Sequence, residues 1–484
     1  MTEPCDLDAV AARRLIGAKK LAPTELLESC IGRIEAVNHA VNAIVACDFA
    51  RARAAAVVAD EAIARGDALP PLHGLPLGVK DLEPTAGLRT TWGSPLFRDH
   101  VPDTDQGAVA RARAAGAIVL GKTNVPEFGL GANTRNLVYG PTGNPFNPRL
   151  SAAGSSGGSA VALATGMAPL ATGSDTGGSL RNPAAFCGVV GFRPTPGLVA
   201  NERRSIGESG LPVLGPMART VSDLALLLGA MAGDDGRDML SRTSTTMVAE
   251  CDLAGLRVAI TEDFGFAPTA REIRATFGAK LALFRHLFGR CDIATPDCSG
   301  ADEAFAVLRA VGVLAAHSAK VRDYPELCGP NLHANIEEGL RYSAADVARA
   351  FVTQTAIYQR WQAFFSDYDV ILSPAITISP RPWSELYPKE IDGKPTASYF
   401  HWLALAYAVT VVGHPALSLP VGLDQAGMPF GLQIVGPRNG DAKVLAAAAA
   451  LERELAGDPR TCRPRPDLEA LRRAPAIANM SDPG

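Results

Sequence analysis

Serines set in glycine knots, with a lysine upstream, are the residues here whose types and spacing could do chemistry. Residues 154–159 read GSSGGS and residues 174–179 read SDTGGS, within a stretch (151–183) holding seven glycines and six serines. Glycines at such knots let backbone come close to a ligand, and successive N–H groups can converge on a negatively charged oxygen. Serines beside such a nest are candidate nucleophiles. The stretch is no linker, because the apolar block AVALATGMAPLA between the knots is long enough for a short helix and a strand. Upstream, HGLPLGVKD carries an apolar run, residues 75–79, that reads as a buried strand delivering Lys80.

HGLPLGVKD, the GSSGGS knot and GSDTGGSLRNPAAFCGVVGFRPT resemble the signature of the amidase signature family of serine hydrolases. Ser155 follows Lys80 by 75 residues and Ser179 follows Ser155 by 24, spacings that fit that family. GKTNVPEF and GPTGNPFNP also match, so the likeness covers at least residues 72–235, with echoes in GHPALSLPVG and GLQIVGP. The resemblance implies one α/β domain over 1–484 with a mixed central sheet sandwiched between helices. Its expected parts are N-terminal helices (6–66), the signature core (72–235), a helix-rich substrate-side segment (265–365) and a sheet completion (366–456). It also implies roles. Ser179 attacks the substrate carbonyl, Ser155 relays the proton, and Lys80 accepts it. The N–H groups of Thr176, Gly177, Gly178 and Ser179 form an oxyanion hole, with Gly129 among the substrate-binding residues. A cis peptide joins Gly154 and Ser155, and neither cofactor nor metal is implied.

For that chemistry Lys80 must be uncharged at rest, which an apolar, desolvated setting favours. Asp81 would work against this, and is expected to point away from its neighbour on the strand. Asp175 and Arg181 are read as braces for the second knot. The sequence departs from the family at Ala152 and Ala153, where proline and a second glycine are usual, and at Arg193, where lysine is usual. None of these removes a catalytic group.

Two other motifs match by pattern. Residues 116–123, GAIVLGKT, satisfy the phosphate-binding G-x-x-x-x-G-K-[ST], but AIVL reads as strand and Asn-Val-Pro follows where a helix should begin. Gly154-Ser155-Ser156-Gly157-Gly158 satisfies G-x-S-x-G, with Asp369 and His414 as conceivable acid and base. That elbow needs a strand before it, and residues 150–153 do not read as one; His414 reads as a turn contact before Pro415.

With 47% hydrophobic and 20% charged residues and a net charge of −4, the 484-residue chain offers no electrostatic case for nucleic acid or an anionic membrane. Nine scattered cysteines without C-x-x-C read as free thiols in a reducing compartment, not as a zinc site. No signal-peptide core and no run of about 18 apolar residues is visible, so the expectation is cytoplasmic. The oligomeric state is open, a homodimer among the options.

Helices are expected near residues 7–15, 23–34, 51–65, 108–115, 220–232, 269–288 and 441–455, with more across 301–365. Strands are expected at 117–120, 188–192, 255–261, 368–372, 415–421 and 430–435, and a loose tail from Asp458. The function expected is amidohydrolysis of a small-molecule amide through a Ser179 acyl-enzyme. The alternatives are urethanase-like carbamate or ester cleavage by the same triad, a glutamine-dependent amidotransferase subunit of the tRNA-amidation type, and a non-catalytic binding protein. Residues 209–217, SGLPVLGPM, look like free amidases rather than that subunit. Pocket walls are expected from residues 127–133, the helical middle and the aromatic-rich 383–402, which suggests an aryl or hydrophobic substrate with Trp402 in contact.

Overall fold

In the computed structural model, which describes residues 3–244, 246 and 248–478, eleven strands form one mixed sheet. In chain order they are β1 Ile44–Cys47, β2 Pro76–Lys80, β3 Ile118–Thr123, β4 Leu170–Asp175, β5 Val190–Arg193, β6 Val213–Ala218, β7 Arg257–Ile260, β8 Arg290–Ile293, β9 Val370–Pro374, β10 Ala416–Leu423 and β11 Pro429–Val435. Across the sheet they run β1-β3-β2-β4-β6-β5-β10-β11-β9-β7-β8. β2 lies parallel to β3 and β4, and β7 parallel to β8 and β9. The remaining pairs are antiparallel. Every residue of β2, β9 and β11 is buried, so both faces of these strands are covered, as continuous apolar runs require. This is the α/β fold with a mixed central sheet that the sequence led us to expect.

The topology brings the site together. Lys80 ends β2, and the second knot continues from the end of β4, its parallel neighbour in register Leu77↔Leu170. Both therefore emerge at the C-terminal edge of the sheet, where open α/β sheets form clefts. The apolar block folds as expected, into the helix Gly157–Ala164 after the first knot and into β4 before the second.

Most elements fall where expected: Asp441–Leu455 is the closing helix, and Val221–Met231 is capped by Thr220, whose side chain accepts the Asp223 N–H. Three strands were not anticipated. β6 (VLGPMA) contains a Gly-Pro pair that reads as a break, yet it lies between β4 and β5 with all six residues buried; tertiary burial overrides local propensity there. β1 and β8 are four-residue strands at the two sheet edges. Residues 147–151 do form a short strand, contrary to expectation, but it pairs with Gly143–Asn144 outside the main sheet. The tail is not loose through residue 478: Leu468–Arg473 is helical, Leu471 is buried, and the Ile477 N–H donates to the His39 carbonyl. Residues 479–484 lie outside the described residues. The helix Ala301–Asp323 is long and apolar enough to cross a membrane, with mean hydropathy 1.4, but it packs on the helices Pro330–Leu340 and Ala344–Phe364 and walls a cavity over the site.

Candidate active site

Lys80 is fully enclosed, and its amine meets three hydroxyls: Ser155 Oγ at 2.8 Å, Ser156 Oγ at 2.7 Å and Ser174 Oγ at 2.9 Å. An uncharged amine has two N–H donors and one lone pair, so three hydroxyls satisfy it when two accept and one donates. Burial drives the Lys80 proton affinity down to about 7, partly offset by the negative charges of Glu83 and Asp175. Ser155 was anticipated beside the amine. Ser156 and Ser174 were not singled out as lysine contacts, although both stand in the knots and could have been found there.

Ser179 lines the same cavity as Ser155 and is half-buried. Its carbonyl accepts the Ser156 N–H at 3.2 Å, which ties the two knots together. Among the described residues its hydroxyl makes no hydrogen bond, so the Ser155–Ser179 leg of the expected relay is open at rest. The peptide between Gly154 and Ser155 is cis.

Of the four expected oxyanion donors, the Gly178 N–H is already engaged, donating to Asp175 Oδ1 at 2.9 Å. The N–H groups of Thr176, Gly177 and Ser179 have no acceptor among the described residues. Gly178 has φ +108°, and a side chain there would meet Ala406 Cβ at 2.5 Å. Gly129 also has positive φ, and a Cβ there would stand 3.4 Å from Ser155 Oγ and 2.7 Å from Leu82. Glycine is thus required where the wall closes on Ser155.

Asp175 braces this loop. Arg181 reaches it at 2.9 Å and Arg193 at 3.1 Å, all three side chains fully buried. Burial alone would raise its proton affinity, but the two guanidinium groups and the Gly178 N–H hold the carboxylate well below its usual range. Arg193, standing where the family usually has lysine, also donates from one nitrogen to the Asp175 and Leu211 carbonyls and from another to the Gly210 carbonyl, a spread that its planar fork allows. Ala153 keeps a left-handed backbone (φ 57°) without the usual glycine, its carbonyl accepting from the Thr134 N–H and hydroxyl.

Asp81 turns away from Lys80, as expected, and accepts from the Thr91 hydroxyl at 2.6 Å. Lys122 of the P-loop-like pattern is buried in β3, its amine donating to the Glu83 carbonyl and to Thr85 Oγ1, so these residues form no phosphate loop. His414 is enclosed by Tyr358, Trp361 and Phe365, its Nδ1 2.9 Å from the Gly436 carbonyl, and Asp369 is held by Arg257 and Lys443. Neither lines the cavity of Ser155, and the elbow alternative falls.

That cavity, of about 270 Å³, is walled by residues 128–132, by Phe305, Leu308, Val313 and His317 of the Ala301–Asp323 helix, and by Phe400. Trp402, expected in contact, instead packs on Phe186 and lines a different, small cavity. Residues 201–212 contribute a wall that the sequence did not suggest, among them Ile206 and Leu211. His317 sits 4.6 Å from Phe128, and burial pushes its proton affinity down to about 3, so it is neutral at ordinary pH.

Residues 25–445 match the family model described as Amidase. The chain belongs to the amidase signature family. It is 35% identical to an acylamidase of Rhodococcus erythropolis across 92% of this chain and 95% of that one. It is 36% identical to a glutamyl-tRNA(Gln) amidotransferase subunit of Anaeromyxobacter dehalogenans (strain 2CP-C), across 94% and 97%. Its fold matches the crystal structure of a bacterial aryl acylamidase with a TM-score of 0.87 and 27% identity over 99% of both chains. The amidase-signature amidohydrolase reading is thereby established at the level of the reaction class.

Proposed function

We propose that this amidase hydrolyses small aryl or hydrophobic amides through an acyl-enzyme on Ser179. The observation that carries the reading is the enclosed Lys80 amine, bonded to Ser155 beneath an apolar cavity that Ser179 borders. Ser179 Oγ attacks the carbonyl carbon; its proton passes to Ser155, and the Ser155 proton passes to the neutral Lys80 amine. The oxyanion so formed lies toward the free N–H groups of Thr176, Gly177 and Ser179. Donors of this kind act on charge that exists only in the transition state. As the tetrahedral adduct collapses, Lys80 returns the proton through Ser155 to the leaving nitrogen and the amine departs. Water then attacks the Ser179 ester, its proton following the same relay, and the carboxylic acid is released.

The apolar walls favour an aryl or aliphatic group over a charged one. Each arginine around the cavity already has a carboxylate: Arg203 with Glu202, Arg204 with Asp238 and Arg309 with Glu338. The α-carboxylate of free glutamine would have to compete for these guanidinium groups with the carboxylates already beside them, which weighs against the amidotransferase reading despite the relatives of that name. Esters and carbamates suit the same relay, and the test separates them. Aliphatic amide, anilide, aryl carbamate, p-nitrophenyl ester and glutamine are offered to the wild type, Ser179→Ala and Lys80→Ala. The anilide should be turned over by the wild type alone and glutamine by none. Glutamine preferred over anilide would contradict the substrate class, and anilide turnover surviving in Ser179→Ala would contradict the mechanism.

A further inference from the structure

Beneath Lys80 lies a carboxyl group that the relay does not use. Glu83 is fully buried, and neither of its carboxyl oxygens has a hydrogen-bonding partner among the described residues. Its N–H donates to the Lys80 carbonyl at 2.9 Å, so it closes the turn that begins at the lysine. Its own carbonyl is held by the Lys122 amine. Thr172 faces it from β4, with a hydroxyl that accepts the Lys80 N–H at 3.0 Å. A buried, unpartnered carboxyl is unfavourable in a folded protein and calls for an explanation.

The explanation follows from charge. When Lys80 takes the Ser155 proton it becomes an ammonium in a site closed to water, and an ammonium there needs an anion close by. Three enclosed carboxylates stand in this part of the fold, of which Glu83 and Asp175 act on Lys80. Asp175 is held by Arg181 and Arg193. Asp81 is bonded to Thr91 and faces Lys122. Of the three, Glu83 alone makes no hydrogen bond of ordinary geometry among the described residues, the Thr172 hydroxyl being the group placed to donate to it, and Lys80, Lys122 and Glu202 are the charged groups around it.

We propose that Glu83 is a positioning residue that sets the proton affinity of Lys80, its carboxylate balancing the ammonium formed each time Ser179 is deprotonated. This rests on the Ser179–Ser155–Lys80 reading above. Burial raises the proton affinity of Glu83, with a smaller push from Glu202, while the Thr172 hydroxyl, Lys122 and Lys80 lower it, so the carboxyl and the amine share their protons as a pair.

The experiment is the pH dependence of kcat/KM for an anilide between pH 5 and 10, in the wild type, Glu83→Gln and Glu83→Asp. The rate at which a fluorophosphonate captures Ser179 over the same range is a second readout that needs no turnover. Removing the negative charge destabilises the ammonium, so Lys80 loses its proton at lower pH and is a weaker base. Glu83→Gln should therefore move the acid limb down by roughly 1 pH unit and lower the plateau about tenfold in both readouts. Glu83→Asp keeps the charge but draws it back, so its limb should fall between the two, and that partial downward shift carries the test if Glu83→Gln does not fold. A limb within about 0.2 unit of the wild type overturns the proposal, including the case in which the plateau falls alone, which would mark a merely structural role. If instead Lys80→Ala and Ser179→Ala keep their turnover, the underlying reading fails and the role of Glu83 falls with it.

Discussion

Lys80 is a lysine held where a lysine is least charged, as the proposed relay requires. Enclosed among three serine hydroxyls and driven down to about 7, it is largely uncharged above neutrality and protonated below. A base must start unprotonated, so kcat/KM is expected to rise with pH through an apparent pKa near 7. His317, the imidazole in the cavity wall, is neutral throughout that range, since burial holds it near 3. A limb assignable to a histidine, or a rate that falls as pH rises through 7, would contradict this. The lysine and both serines were legible in the sequence because their knots and spacings are distinctive. Ser174 and Ser156 were legible as residues but not as lysine contacts, because nothing in their local pattern says how many hydroxyls an amine gathers across β2 and β4. Glu83 gave no signal at all; a single acidic residue in Leu82-Glu83-Pro84 reads as a solvated turn, and only its burial shows otherwise.

At the scale of elements, the site is two glycine knots, each leading into a short helix, tied by the Ser156 N–H on the Ser179 carbonyl, the second knot being braced by Asp175. Its two arginines come from opposite sides of the loop, Arg181 from the following helix and Arg193 from β5. Asp175→Asn would leave both guanidinium groups buried without a full counter-charge, a change that typically costs about 3–5 kcal/mol. Urea unfolding should show that loss, and an unchanged midpoint would mean the brace carries little. Periodicity marked the helices well, since long segments such as Asp441–Leu455 show an uninterrupted pattern. It failed for β6, where burial on both faces holds a Gly-Pro pair in a central strand, and for the short edge strands β1 and β8, too brief to show any period.

The whole molecule decides the substrate, because the cavity is assembled from segments distant in the chain. That is why the sequence pointed to Trp402 while the structure offers Phe400 and residues 201–212: a pocket wall is set by tertiary packing, and aromatic content alone does not place it. The Ala301–Asp323 helix gives a clean probe. Gly312 lines the cavity, and a Cβ there would meet nothing within 4 Å. Gly312→Leu should fold, with about 0.8–1 kcal/mol of improved helix propensity, and fill the cavity. Anilide kcat/KM should fall roughly 10- to 200-fold, the range that small changes in pocket fit command, while a short aliphatic amide is spared. Equal losses on both would mean that this cavity does not hold the aryl group. The claim on which all else depends is that Ser179 carries the acyl group, and the most direct test is mass spectrometry of the enzyme quenched during turnover of a p-nitrophenyl ester. The account predicts one acyl mass on the peptide containing Ser179, absent from Ser179→Ala. The same mass on Ser155 or Ser156 in the wild type, or an acylated Ser179→Ala enzyme that still turns over, would contradict it.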